Sequence, residues 1–260
     1  MKVQKKNGLK IFQFTNLSLP GINQAIFSRH GGLSRPPWSS LNLGGTVGDD
    51  PENVNGNLEL ILKTVGYNLG QLVQVRQIHL AKVITARGPM DAIQNGDAII
   101  TNKPGLLLLM RFADCVPILF FDPVKNAVGI AHAGWQGTIK EIALHTVRAM
   151  EIQFQTNPAD LIAGIGPSIG PDHYVIREDV SERVEAVFPK QVEEILIKDD
   201  DGVKLDLWKA NAISLRKAGV KMIEIAGICT GCNIIDWYSH RGENGKTGRF
   251  AAVIGLRERE

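Results

Sequence analysis

The chain has 260 residues, 44% of them hydrophobic and 22% charged, enough apolar content to bury a sizeable core. A net charge of +2, carried by scattered lysines and arginines, argues against a dedicated nucleic-acid surface, and no apolar run reaches membrane-spanning length. The N-terminus lacks an apolar segment of signal-peptide length and the three cysteines are an odd number, so a cytoplasmic protein with reduced thiols is expected.

Lys2, Lys5 and Lys6 mark a terminus expected to fray, and residues 9–14 (LKIFQF) and 25–28 (AIFS) read as the first strands. Residues 29–50 are rich in Gly, Pro and Ser and lack apolar periodicity. A long ordered loop is expected there, anchored by Trp38, Leu41 and Leu43; such loops commonly carry function. Asp50-Pro51-Glu52 starts a helix: a capping carboxylate, proline in the first turn, then an acid near the positive dipole end. Val54, Leu58, Ile61, Leu62 and Val65 recur at helical spacing before Gly66 ends the run.

Strands follow at residues 72–78, 82–86 and Ala98–Thr101, then in three apolar runs at 106–110, 116–121 and 127–131. Residues 137–154 predict one helix, with Ile139, Ile142, Ala143, Val147 and Met150 turned inward. A strand at 161–165 runs into the turn Gly166-Pro167-Ser168-Ile169-Gly170. Helices are expected at 179–188 and 205–218, separated by a strand at 193–197 and the acidic turn Asp199-Asp200-Asp201-Gly202. Strands at 221–229 and Phe250–Leu256 complete the set. With no internal repeat, low-complexity tract or linker, residues 1–260 are expected to form one domain.

The chemistry concentrates where these strands end. His79, Cys115 and His132 each lie at or just past a strand end. Two imidazoles and a thiolate suit Zn²⁺, and three protein ligands leave a fourth position open for water or substrate. Other readings stay open at this point. Cys115 also fits a small buried hydrophobe, or a nucleophile with His132 or His79 as its base. Cys229-Thr230-Gly231-Cys232 has the spacing of a zinc or redox pair, but no second pair follows and no helix start lowers the thiol pKa. A cysteine lining the cleft is expected instead. Arg29 beside Gly31-Gly32, and Arg241 beside the loop at 242–248, place guanidinium groups on flexible backbone able to meet an anion or a ribose.

The ordered motifs Ser28-Arg29-His30-Gly31-Gly32-Leu33-Ser34, Ser40-Leu41-Asn42-Leu43-Gly44, Gly48-Asp49-Asp50-Pro51, Gln77-Ile78-His79, Ala113-Asp114-Cys115-Val116-Pro117, His132-Ala133-Gly134-Trp135, Ile165-Gly166-Pro167-Ser168-Ile169-Gly170 and Thr247-Gly248-Arg249 span nearly the whole chain. In this respect it resembles the family called laccase-domain, multicopper polyphenol oxidoreductase-like or multifunctional purine nucleoside phosphorylase proteins. The resemblance implies a mixed α/β fold, a four-layer α/β/β/α sandwich with two mixed β-sheets. It implies a zinc site at His79, Cys115 and His132, with copper as the alternative metal. It also implies phosphorolysis of adenosine, inosine and S-methyl-5′-thioadenosine, and deamination of adenosine.

On that reading the partners are purine nucleosides and phosphate, with neither nucleic acid nor membrane, and a monomer is expected. Cys115, His132 and Asp114 are the expected catalytic residues, Asp114 as a proton shuttle. Arg29, Asn42 and Arg241 are the expected substrate contacts. The chain departs from the family pattern at Leu80, where glycine is common, and at Gln136 and Gly242, where arginine is usual. A full laccase centre is excluded: the six histidines, at 30, 79, 132, 145, 173 and 240, include no His-x-His pair. The competing readings are a cysteine hydrolase or amidase using Cys115–His132, a single-copper polyphenol oxidoreductase, and a metal-binding accessory protein.

Overall fold

The computed structural model describes residues 1–89 and 92–258. A seven-stranded sheet runs in the order Lys2–Lys6, Leu9–Gln13, Ile22–Phe27, Phe250–Leu256, Leu107–Phe112, Leu72–Arg76, Gln94–Asn95. A six-stranded sheet runs Met222–Ile225, Ile162–Ile165, Val116–Asp122, Ala127–Ala133, Ala98–Thr101, Val83–Thr85. Both contain parallel and antiparallel pairs. A three-stranded sheet, Val175–Ile176, Gly202–Leu205 and Leu196–Asp199, lies outside them.

The apolar runs are continuous because their strands are buried on both faces. In Leu107–Phe112, Leu108 and Met110 face the space between the large sheets, where they meet Leu119, Phe121, Ile130 and Ile162. Leu107 and Leu109 face outward onto Ile61 and Leu62 of the helix Pro51–Val65. On the far side, Ile118, Phe120, Ala163 and Ile165 pack under the helices Ile142–Phe154 and Leu207–Lys217 through Val147, Met150, Ala210 and Leu215. The result is the α/β/β/α layering that the family resemblance implies.

Most local expectations are met. The Asp50 carboxylate accepts the Glu52 N–H at 2.9 Å, and Gly66 leaves the helix with φ 82°. Residues 28–50 form no helix or strand. That loop is held by Asn57, fully buried in the helix, whose amide donates to Ser34 Oγ and to the Ser40 and Asn42 carbonyls and accepts the Leu33 N–H.

Three local expectations are corrected. Lys2–Lys6 is an ordered edge strand paired with Leu9–Gln13 through Asn7-Gly8, both at positive φ, and its exposed lysines suit an unpaired edge. The predicted 137–154 helix is two, Trp135–Ile139 and Ile142–Phe154, divided where Glu141 takes φ 51° and pairs with Lys217 at 2.8 Å. Residues 193–197 are not one strand. A helical turn, Val192–Ile195, passes directly into Leu196–Asp199, and the adjacent residues Ile195 and Leu196 are both buried, which breaks the strand alternation.

Candidate metal centre

The chain crosses from the seven-stranded to the six-stranded sheet three times at one end of the sandwich, and two of these crossings carry His79 and Cys115. Leu72–Arg76 and Leu107–Phe112 are parallel neighbours, so they finish at the same end. The first hands over to Val83–Thr85 through His79, the second to Val116–Asp122 through Cys115. His132 joins them because Ala127–Ala133 runs antiparallel to Val116–Asp122, pairing His132 with Pro117. One nitrogen of His79, one of His132 and Cys115 Sγ thus lie within 4.8 Å of one another. His132 is buried, Cys115 half-buried and His79 exposed, so the cluster opens to solvent on the His79 side.

Two linker residues adopt the left-handed conformation to make this approach: His79 at φ 57° and Asp114 at φ 81°. Asp97, fully buried, braces the first of them. Its carboxylate accepts the backbone N–H of Ile78, His79 and Leu80 at 3.2, 2.9 and 2.8 Å, and also meets His132 Nδ1 at 3.0 Å. An ionised carboxylate only accepts, so Nδ1 carries a hydrogen and Nε2 is the nitrogen that offers a lone pair once its own proton is displaced, the arrangement typical of a metal-binding histidine. Burial pushes the Asp97 carboxyl up, but the His132 hydrogen bond and the Leu80 and His79 N–H groups outweigh it and hold it below its ordinary value.

The same balance sets the charge of the cluster without metal. Burial raises the Cys115 thiol, yet the charge and hydrogen bond of His132, with a smaller share from His79, bring it down to about 6. Burial lowers His132, but the Cys115 thiolate and Asp97 lift it to about 9. At neutral pH the pair is therefore thiolate and imidazolium. Gly134 leaves room for the sulfur: a Cβ built there would sit 2.7 Å from Cys115 Sγ and 3.5 Å from His79 Cδ2. The soft, compact donor set and this cradle fit a zinc-like ion. Gly134→Ala is expected to displace Cys115 and lower bound metal at least severalfold while the far-UV circular dichroism stays unchanged.

The other expected site residues divide. Both Asp114 oxygens are occupied. Oδ1 accepts from Thr230 Oγ1 and Ser239 Oγ at 2.7 Å each, and Oδ2 accepts the Arg241 N–H at 2.6 Å. In this geometry it ties its own turn to two places in the connection before Phe250–Leu256 rather than facing an open metal position. Asn42 is fully buried. Its amide donates to Asp49 and Gly44 and accepts from the Gly44 and Arg249 N–H groups, which makes it a staple of the 29–50 loop. Asn42→Ala is expected to cost about 2–4 kcal/mol through the buried polar groups it strands, read as a lower denaturant midpoint.

Arg29 donates to the Ser39 and Ile234 carbonyls, pairs with Glu243 at 3.0 Å and lies 4.4 Å from the Tyr238 ring centre. It lines a shallow cavity of about 320 Å³ with His30, Ser39, Ser40, Ile234 and Ile235, which none of the three clustered residues lines. Arg241 is exposed, stacks over Tyr174 at 5.2 Å and makes one side-chain bond, to the Val175 carbonyl.

Sequence reasoning did not single out Asp97, Tyr174 or Arg249 as site residues. Burial pushes the Tyr174 hydroxyl above its usual range, and the negative charge of Cys115 adds to this. Arg249 is drawn down by burial and felt by Cys115 and Asp114, which puts a cation in electrostatic reach of the cluster. The one sequence signal for Asp97 was a carboxylate directly before the apolar run Ala98-Ile99-Ile100.

A family model described as multi-copper polyphenol oxidoreductase laccase matches residues 23–257. A purine nucleoside phosphorylase of Deinococcus radiodurans is 35% identical over 97% of this chain and 95% of its own length. Purine nucleoside phosphorylase YlmD of Geobacillus stearothermophilus is 35% identical over 92% of this chain and 91% of its own. A crystal structure of YlmD from Geobacillus stearothermophilus superimposes with a TM-score of 0.90 at 34% identity, covering 98% of each chain. The family model covers nearly the whole sandwich, and the relatives match it end to end, so this chain belongs to the multi-copper polyphenol oxidoreductase laccase family.

Proposed function

We propose that the chain is a zinc-dependent purine nucleoside phosphorylase acting on adenosine, inosine and S-methyl-5′-thioadenosine, with a secondary adenosine deaminase activity. The observation that carries this reading is the convergence of His79, Cys115 and His132 within 4.8 Å, with a cation, Arg249, in electrostatic reach of Cys115. The relatives' shared name supplies the reaction class. His79, Cys115 and His132 hold the metal, which when bound supplies a Lewis acid at the open fourth position.

In phosphorolysis a phosphate oxygen bonds to C1′ of the ribose. The C1′–N9 bond breaks, its electron pair leaves with the purine, and the purine takes up a proton equivalent to the one that the attacking hydrogen phosphate gives up. Ribose 1-phosphate and free base result. Arg241, the most exposed of the three guanidiniums, is assigned to the phosphate together with Arg249, each offering paired N–H donors. Arg29 and Asn42, committed to carbonyls and to Glu243 and Asp49, are assigned to shaping the loop. Asp114 is assigned to positioning: it fixes the Arg241 backbone and the Cys115 turn. Asp97 keeps His132 in the binding tautomer.

Adenosine incubated with and without phosphate tests the reading. Adenine formed only with phosphate supports phosphorolysis, and inosine formed without it supports deamination; neither product from metal-loaded protein overturns both.

Metal uptake should depend on pH in a defined direction. The metal-free site keeps a proton on His132 that a metal must displace, while Cys115 already sheds its own above about 6. Apparent affinity is therefore expected to rise about tenfold per pH unit until His132 is itself neutral near 9. Competition with a chelator whose own protonation is known measures this.

The thiolate–imidazolium pair also supports a second reading, a metal-free cysteine hydrolase. On that reading zinc would block Cys115 and suppress turnover; on the first it is required.

A further inference from the structure

Cys229 and Cys232 form more than the isolated pair that the sequence presents. The segment after Ile162–Ile165 is bridged to the Cys229 segment by a parallel pairing of Ser168 with Cys229. Thr230 N–H donates to the Ser168 carbonyl at 2.9 Å, and Ser168 N–H to that of Ile228 at 3.2 Å. This pairing carries Asp172 and His173, some 60 residues away in sequence, to the two thiols. One atom from each of Asp172, His173, Cys229 and Cys232 lies within 4.8 Å of the others.

The individual spacings suit a shared ion. Cys232 Sγ is 2.8 Å from Asp172 Oδ2 and 3.5 Å from His173 Nδ1. His173 Nδ1 is 3.0 Å from Asp172 Oδ2 and 4.0 Å from Cys229 Sγ. Tetrahedral zinc, with bonds of roughly 2.0–2.3 Å, places its ligand atoms about 3.3–3.8 Å apart. The observed set brackets that range, its two shortest contacts being hydrogen bonds to Asp172 that a metal would replace. Cys229 is buried, and its sulfur accepts the Gly170 and Cys232 N–H groups at 3.2 and 3.3 Å, which fixes its position facing the other three residues.

We propose that Asp172, His173, Cys229 and Cys232 form a second metal site, a closed four-ligand zinc centre separate from His79, Cys115 and His132. Two sulfurs, an imidazole and a carboxylate select zinc over the hard cations. Four protein ligands leave no open position, so its role is structural. What it fastens is the wall of the first site. Thr230, between the two cysteines, donates to Asp114 Oδ1, and Ile169 N–H donates to the Asp114 carbonyl at 3.0 Å. Tyr174, next to His173, lies under Arg241. The proposal does not depend on the nucleoside reaction.

The test is zinc content of reduced protein by mass spectrometry. Two zinc ions per chain are expected in the unmodified protein, one in Cys115→Ser, one in Cys232→Ser and none in the double variant. Cobalt titration of Cys115→Ser keeps the test independent of whether Cys232→Ser folds. One equivalent should give tetrahedral visible bands with a charge-transfer band of two-thiolate intensity. Three results would each overturn the proposal: no metal on Cys115→Ser, two zinc ions retained by Cys232→Ser, or a Cys229–Cys232 disulfide that forms unhindered in the presence of zinc.

Discussion

Replacing Cys115 with alanine is expected to remove one zinc per chain and to slow nucleoside phosphorolysis by about a thousandfold, several kcal/mol of Lewis-acid stabilisation being lost with the metal. The side chain is small and sits in a tight turn already positioned by Asp114, so the sandwich should remain folded. Metal analysis and product chromatography on one preparation read both effects. Loss of turnover with the metal retained would make Cys115 a nucleophile and not a ligand. Loss of metal with turnover retained would remove the metal from the reaction.

Asp97→Asn should lower metal affinity about 10–100-fold, the usual effect of removing the carboxylate behind a ligating histidine. The change is nearly isosteric but chemically adverse. Asp97 accepts from three backbone N–H groups and from His132 Nδ1, and an amide nitrogen placed there meets donors. If His132 turns its tautomer to accept from that amide, the hydrogen moves to Nε2, the atom that faces the metal. The Ile78–Leu80 turn that carries His79 loosens as well, at about 1–3 kcal/mol for a stranded N–H. Chelator competition measures the affinity; an unchanged value would mean that Asp97 only supports the turn.

What the sequence made legible follows from how local each signal is. The Asp50 cap, the Val54-to-Val65 periodicity and Gly66 specify their helix within a few residues, and the structure agrees. The unbroken apolar runs announced strands buried on both faces, which is what the two-sheet sandwich provides. Lys2, Lys5 and Lys6 obscured the Asn7-Gly8 turn, although such a dipeptide is a strong hairpin signal and charged side chains are normal on an edge strand. The break at Glu141 has no sequence marker, since neither glycine nor proline stands there.

The three clustered residues could be proposed as metal ligands from chemistry at strand ends, but the reason they meet lies in register. His132 reaches the Cys115 turn only because Ala133 pairs with Val116, and His79 because two strands run parallel. Residues whose role depends on such long-range pairing stayed hidden: Asp97 behind His132, and Asp172 and His173 beside the cysteines. Asn42 shows the converse. A motif residue that looked fit for substrate is buried with its amide engaged at both ends.

The most direct test strips the purified protein with a chelator, restores zinc to one half, and supplies both with inosine and phosphate. Hypoxanthine and ribose 1-phosphate should appear in equal amounts from the zinc-restored protein alone, and only when phosphate is present. Equal turnover by the stripped protein, or hypoxanthine released without phosphate, would contradict a metal-dependent phosphorylase.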